Sequence, residues 1–172
     1  MANNNVNTFL SKIGQGVKPN MFMASIKFPS SMENKPQGDD LELTNILCKS
    51  AALPGSNLGV IEVPFRGRTV KIAGDRTFDT WTATFFNDKD FKLRSFFETW
   101  ANQINTHEAN TSPLFTPSES DGYMADLEVK QLEKDGSESG STLRKYTLKY
   151  CFPTNVSPID LAYDSNDQIE EF

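Results

Sequence analysis

The sequence predicts a mainly β or α+β fold: an antiparallel β-sandwich or barrel with one main flanking α-helix and a short N-terminal helix. Three observations predict it. Several segments alternate apolar and polar residues with the period of two expected of half-buried strands, as in YMADLEVKQL (123–132). One long stretch after Asn87 carries the 3.6-residue period of an amphipathic helix. The connections between these segments are rich in Gly, Pro, Asn and Asp, which break periodicity and favour turns. Roughly six to eight strands against one main helix follow from this pattern.

The elements follow in order. Val6, Phe9, Leu10 and Ile13 fall at helical spacing and are stopped by Gly14 and Gly16, giving a short helix within an N-terminal arm, 1–20. A helix of about two turns is marginal alone, so it must dock on its own domain or on a neighbour. MFMASIKF (21–28) reads as a strand, PSSMENKPQGDD (29–40) as a polar loop, LELTNILCKS (41–50) as the next strand, and ALPG (52–55) as the turn out of it. GVIEVPFRGRTVKI (59–72) reads as one strand bent or bulged at Pro64 and Gly67, because proline removes a ladder donor and glycine permits the kink. GDRTFD (74–79) reads as a turn.

In the strand that follows, Trp81, Ala83 and Phe85 point one way, while Thr80, Thr82, Thr84 and Phe86 point the other. Asn87 or Asp88 caps a helix from 88 to 104 in which Leu93, Phe96, Phe97, Trp100 and Ile104 form one stripe, with Phe91 close by. A loop with the sole histidine, His107, is kept irregular by Pro113 and Pro117. The strand 123–132 then pairs antiparallel, through the hairpin-type connection KDGSESG (134–140), with LRKYTLKYCF (143–152), where Tyr146, Leu148, Tyr150 and Phe152 share a face. After PTNVSP, residues 159–163 read as a short strand, DSND as a turn, and QIEEF as the beginning of another strand.

At 172 residues, with 37% hydrophobic and 23% charged residues and 13 Phe, the chain is sized and composed for one folded domain, 1–172. Mean hydropathy is −0.48 and no run of about 18 apolar residues occurs, which predicts no membrane span. MANNNVNTFLSKIGQG lacks the charged and apolar regions of a secretory signal. Cys48 and Cys151 lie in strand-like stretches without CxxC spacing and read as buried reduced thiols, a disulfide being the alternative. The net charge of −6 is uneven: the chain carries lysines but no carboxylate before Glu33, and no Lys or Arg after Lys149. Such polarity is either solvated surface or a bias toward head-to-tail contact between copies.

No catalytic, cofactor or metal site is predicted. GxxxxGK[ST], GxGxxG, HExxH and GxSxG are all missing, and any histidine triad would rest on His107 in a polar loop. Asp164, Asn166 and Asp167 lack the spacing of a calcium loop and read as a polar turn. Arg66, Arg68, Lys71 and Arg76 form a modest basic cluster suited to carboxylates, in this chain or on a neighbouring subunit. Arg76 stands between Asp75 and Asp79, where a guanidinium can clamp the turn or reach across a subunit boundary.

AGDRTFDTW (73–81), the ND at 87 and the helix after it, together with CKSAALPG (48–55), PTNV (153–156) and DSNDQIEEF (164–172), occur in an order and spacing that resembles the tail tube family of T-even-type contractile-tailed bacteriophages. The likeness covers most of the chain and is weak in the loops 29–40 and 105–122. The resemblance implies a non-enzymatic structural subunit with no cofactor. Copies would form hexameric rings stacked into the inner tube of the tail, inside the sheath protein and around the tape-measure protein, bounded by baseplate and tail terminator proteins. DNA would pass through without sequence-specific binding and without membrane insertion, and an acidic lumen would let it slide. The place implied is the virion, after assembly in the host cytoplasm.

The same carry-over makes Gly74, Asp75, Arg76, Thr77, Phe78, Asp79 and Trp81 a subunit-interface or turn-clamp group. It makes Ala52, Leu53, Pro54, Gly55, Phe9 and Leu10 candidates for ring stacking, and Pro153, Thr154, Asn155, Asp164 and Asn166 family-motif turns. The resemblance implies a further alternating strand after the QIEEF segment, so the C-terminal strand here reads as truncated, disordered or replaced. A tube subunit of a phage-derived contractile injection system, or a baseplate tube initiator, shares these surfaces. From a different class, a monomeric β-sandwich ligand-binding domain would show similar strands and a concave pocket.

Overall fold

The computed structural model describes residues 5–14, 16–113, 117, 122–133 and 142–172. Along the chain lie α1 (Val6–Ile13), β1 (Phe22–Lys27), a 3₁₀ turn (Gly38–Glu42), α2 (Leu43–Ile46), β2 (Cys48–Ala51), β3 (Asn57–Phe65), β4 (Arg68–Thr77), β5 (Ala83–Phe85), α3 (Lys92–Ile104), β6 (Ala125–Leu132) and β7 (Thr142–Cys151). The strands form three antiparallel groups, β1-β6-β7, β2-β5 and β3-β4, none of them closed into a barrel. This is the mainly β, α+β architecture that the periodicities predict.

The core sits where α3 meets β1, β5 and β6. The predicted stripe does the burying: Leu93 and Trp100 are almost fully enclosed, Phe97 is buried, and Phe96 and Ile104 are half-buried against Ile26, Phe85, Ala125 and Leu127. Phe28 reaches into this layer, its ring 5.6 Å from those of Phe97 and Trp100, in edge-on geometries favoured by the ring quadrupoles. The Trp100 indole donates to the Tyr123 carbonyl at 2.7 Å, so its one polar atom is satisfied. Of the two predicted caps, Asp88 is the one that acts on the helix: its carboxylate accepts from the Lys92 and Leu93 amides at 3.1 and 3.2 Å. The helix itself starts at Lys92, because Phe91 takes a left-handed backbone (φ 54°) that no helix continues through.

β5 behaves as predicted, with Phe85 buried and Trp81 and Ala83 packed on the core from the same face. The predicted strand at QIEEF is a short antiparallel bridge on its open edge. Phe172 exchanges backbone hydrogen bonds with Phe85 (2.9 and 3.1 Å), and the Asn87 amide donates to the Glu170 carbonyl at 2.9 Å.

Six expectations are corrected. LELTNILCKS is not one strand: Leu43–Ile46 coil into α2 and only Cys48–Ala51 is extended. Leu43, Ile46 and Leu47 have helical spacing, and buried Thr44 satisfies its hydroxyl locally on the Leu41 carbonyl. Residues 59–72 are not one bent strand but two strands turned back at Arg66-Gly67. GDRT is not a turn, since Gly74–Thr77 are the last residues of β4.

Residues 159–163 form no strand. In β7 a bulge at Lys149 and Tyr150, the latter at φ 58°, shifts the alternation. Cys151 therefore packs on the core in place of Tyr150 and Phe152. Both cysteines are free thiols, half-buried rather than fully buried. The predicted connection 134–140 lies outside the described residues.

Candidate assembly surface

Apolar side chains that stand exposed among the described residues are the feature of this molecule that asks for a function. The largest group lies on the β3-β4 hairpin. Arg66 and Gly67 both take positive φ (48° and 78°), the signature of a two-residue type I′ turn whose twist matches the strands it joins. The register pairs Ile61 with Ile72, Val63 with Val70 and Phe65 with Arg68, and directly opposed residues share a face. One face of the ribbon therefore carries Ile61, Val63, Phe65, Val70 and Ile72, which are 40–61% exposed. The other carries the Glu62–Lys71 ion pair (3.5 Å) with Val60, Ala73, Pro64 and Thr69.

An isolated two-stranded ribbon is marginal in water, and an apolar face of this extent marks a contact surface. At its base the strands approach closely. A Cβ on Gly74 would lie 3.2 Å from the backbone of Gly59 and from Ile61 Cγ1, and one on Gly59 3.3 Å from the Asp75 carbonyl oxygen, so the bulge between Leu58 and Val60 leaves little room for a side chain at either position.

The same base gathers two groups that were predicted separately. The Trp81 indole donates to the Ala52 carbonyl at 2.6 Å, the Asn57 amide to Asp79 Oδ2 at 2.9 Å, and Arg76 Nη1 to the Ser56 hydroxyl at 3.4 Å. The 52–55 segment and the 74–81 segment are thus one surface. Leu53 and Phe78 stand exposed on it (48% and 72%), with Gly55, Asp75 and Thr77 exposed beside them and Pro54 half-buried. Arg76 turns to Ser56 and makes no ion pair with Asp75 or Asp79 among the described residues.

α1 repeats the theme. Its predicted stripe of Val6, Phe9, Leu10 and Ile13 is 49–67% exposed and every described residue of the helix faces solvent. The segment 153–156 lies elsewhere: Pro153, Thr154, Asn155 and Val156 border a cavity of about 600 Å³ together with α3 residues Arg94, Glu98 and Asn102 and the exposed His107. Arg94 spans it, donating to Glu98 (2.8 Å) and to the Ser157 carbonyl (3.0 Å) while its guanidinium lies over the Phe172 ring. Asp164 and Asn166 form the predicted turn, the Asn166 amide donating to the Asp164 carbonyl at 3.0 Å.

Charge on the solvent face of the β1-β6-β7 sheet is organised around Glu128. Lys145 (2.9 Å), Lys27 (3.1 Å) and Lys130 (3.6 Å) surround this buried carboxylate. The Lys145 hydrogen bond leads in drawing its pKa down to about 2, with Lys27 adding to it and burial opposing. Burial pushes the Cys48 thiol up to about 11, which makes it a poor nucleophile.

Comparison with known proteins shows the family to which the chain belongs. The family profile of phage tail tube proteins matches residues 17–172. The chain belongs to the phage tail tube protein family. It is 31% identical over 159 residues to tail tube protein gp19 of Enterobacteria phage T4, covering 92% of this chain and 86% of the relative. The same figures hold for gp19 of Enterobacteria phage T6. The tail tube protein of Serratia phage KSP90 is 26% identical over 170 residues, 97% of this chain and 90% of the relative. The role that follows is that of a structural subunit of a phage tail tube, a component of the virion tail. Among the described residues no helix is long and apolar enough to cross a membrane.

The amphipathic hairpin is what sequence reasoning missed. Its signal was present: Val63 and Glu62 on one side of Arg66-Gly67 are mirrored by Val70 and Lys71 on the other, the symmetry of paired strands.

Proposed function

We propose that this chain assembles with copies of itself into hexameric rings that stack as the inner tube of a contractile tail. The observation that carries the reading is the apolar face of the hairpin, Ile61, Val63, Phe65, Val70 and Ile72, which no described residue of the chain covers. α1, with Phe9 and Leu10, and the surface of Leu53 and Phe78 are further patches of the same kind. Heterologous contacts between different patches generate rings where the rotation closes and filaments where it does not, and a tube requires both. The role is non-catalytic.

In this reading the tube carries the tape-measure protein during assembly in the host cytoplasm and DNA at infection, with the sheath protein outside and baseplate and tail terminator proteins at its ends. Six copies of a chain of net charge −6 give the ring an acidic character that lets a polyanion pass without sticking. The test is negative-stain electron microscopy of the purified chain at rising concentration, with sedimentation velocity alongside. Rings or hollow tubes are expected. A monomer at every concentration, with baseplate seeds present, overturns the reading.

A further inference from the structure

The hairpin and the C-terminal segment are complementary to each other in a way that neither satisfies within one chain. Among the described residues, three of the four cations of the hairpin pair with no carboxylate. Arg66 lies over the Phe65 ring (5.3 Å), Arg76 donates to the Ser56 hydroxyl, and Arg68 makes no ion pair among the described residues. Lys71 alone is paired, with Glu62. The chain from Pro158 to Ile169 presents the opposite case. It is a strap anchored at both ends, by Arg94 on the Ser157 carbonyl and by the bonds of Glu170 and Phe172 to Asn87 and Phe85.

Between the anchors nearly every residue is exposed, and Asp160, Asp164 and Asp167 make no ion pair among the described residues. Glu170 and Glu171, by contrast, are engaged by Asn87 and Lys49. The strap also exposes apolar side chains: Leu161 (79%), Tyr163 (fully exposed) and Ile169 (68%).

We infer that the β3-β4 hairpin of one copy docks on the 158–169 strap of the next, its apolar face on Leu161, Tyr163 and Ile169 and its three unpaired arginines opposite Asp160, Asp164 and Asp167. The occupant is a second copy of this chain because the two surfaces are matched in character, apolar flanked by charge, and opposite in sign. Arginine is suited to such a contact, since its planar fork meets a carboxylate bidentately at low desolvation cost. The contact is heterologous, hairpin to strap, so it leaves a free hairpin and a free strap at the ends of any pair and propagates. The inference rests on the self-assembly proposed above and adds to it which two surfaces meet.

The test uses two block reversals in the full chain. One is Arg66→Glu, Arg68→Glu and Arg76→Glu; the other is Asp160→Arg, Asp164→Arg and Asp167→Arg. Circular dichroism and thermal melts check that each folds. In sedimentation velocity each variant alone is expected to need at least about tenfold higher concentration than the parent chain to assemble, since like charges then face each other. An equimolar mixture restores opposite signs at both kinds of junction and is expected to associate within about threefold of the parent concentration.

Variants that assemble unimpaired alone, or a mixture that stays as weak as its components, overturn the pairing. A mixture that associates only into short open chains, with a parent chain that never forms rings or tubes, upholds the pairing and removes the tube. Absence of association in the parent chain and in the mixture removes both.

Discussion

Two regions of this molecule are almost equally apolar and have opposite fates. Under α3, Leu93, Phe97, Trp100 and Phe85 are closed off from water by β1, β5 and β6. On the β3-β4 hairpin, Ile61, Val63, Phe65, Val70 and Ile72 are regular, well registered and open. The drive to leave water, about 25 cal/mol for each Å² of apolar surface, is the same in both places. What differs is the source of the covering surface. α3 finds its partner within the chain, and its burial appears as stability of the fold. The hairpin finds none among the described residues, and under the proposed assembly its burial comes from another copy. Hydrophobicity tells that a surface will be covered without telling by which chain.

That comparison can be broken from the core side first. Trp100→Ala removes the largest of the fully buried side chains and leaves the Tyr123 carbonyl without its donor, and is expected to cost about 3–5 kcal/mol in chemical denaturation. A loss under about 1 kcal/mol would mean that this layer is not the stabilising core.

Glu128→Gln is expected to cost about 1–2 kcal/mol at neutral pH, discounted because the surrounding ammonium groups are partly exposed. The sign over pH follows from a carboxyl whose folded pKa, about 2, lies below its ordinary value of 4.5. The stabilisation is complete above pH 4.5 and is lost as pH falls from there toward 2. Glu128→Gln should flatten that limb of the stability profile, and an unchanged limb would assign it to other carboxylates.

Asp88→Ala takes the carboxylate from the Lys92 and Leu93 amides and is expected to lower stability by about 1 kcal/mol, with Asp88→Asn recovering part of it in the same melts. The smallest effect on the monomer sharpens the contrast most. Ile61→Ser with Ile72→Ser, both on the open face, should change monomer stability by only about 0.5 kcal/mol while abolishing assembly in sedimentation velocity. A large loss of monomer stability would show that the hairpin folds back on its own chain.

Much of this was legible in one dimension. The α3 stripe, the Trp81, Ala83 and Phe85 face, the β6-β7 hairpin and the extended character of the QIEEF segment were read correctly from residue order. Periodicity survives folding because it is a property of the backbone, 3.6 residues per helical turn and two per strand repeat. The ordered blocks from AGDRTFDTW to DSNDQIEEF also pointed to the family to which the chain belongs.

Tertiary structure decided the rest. In residues 59–72 the mirrored Glu62, Val63 and Val70, Lys71 permit two strands folded at Arg66-Gly67, but a kinked strand satisfies the same alternation and only the cross-strand bonds choose. Nor does the sequence show that Leu43–Ile46 coil while Cys48–Ala51 extend, or that a bulge at Tyr150 turns Cys151 inward. Least visible of all was which apolar stripe would be covered by its own chain: α1, α3 and the hairpin are all amphipathic, and only α3 lies where strands distant in sequence converge on it. Amphipathicity is written residue by residue, but burial is a relation between segments, and it exists only once the chain has folded.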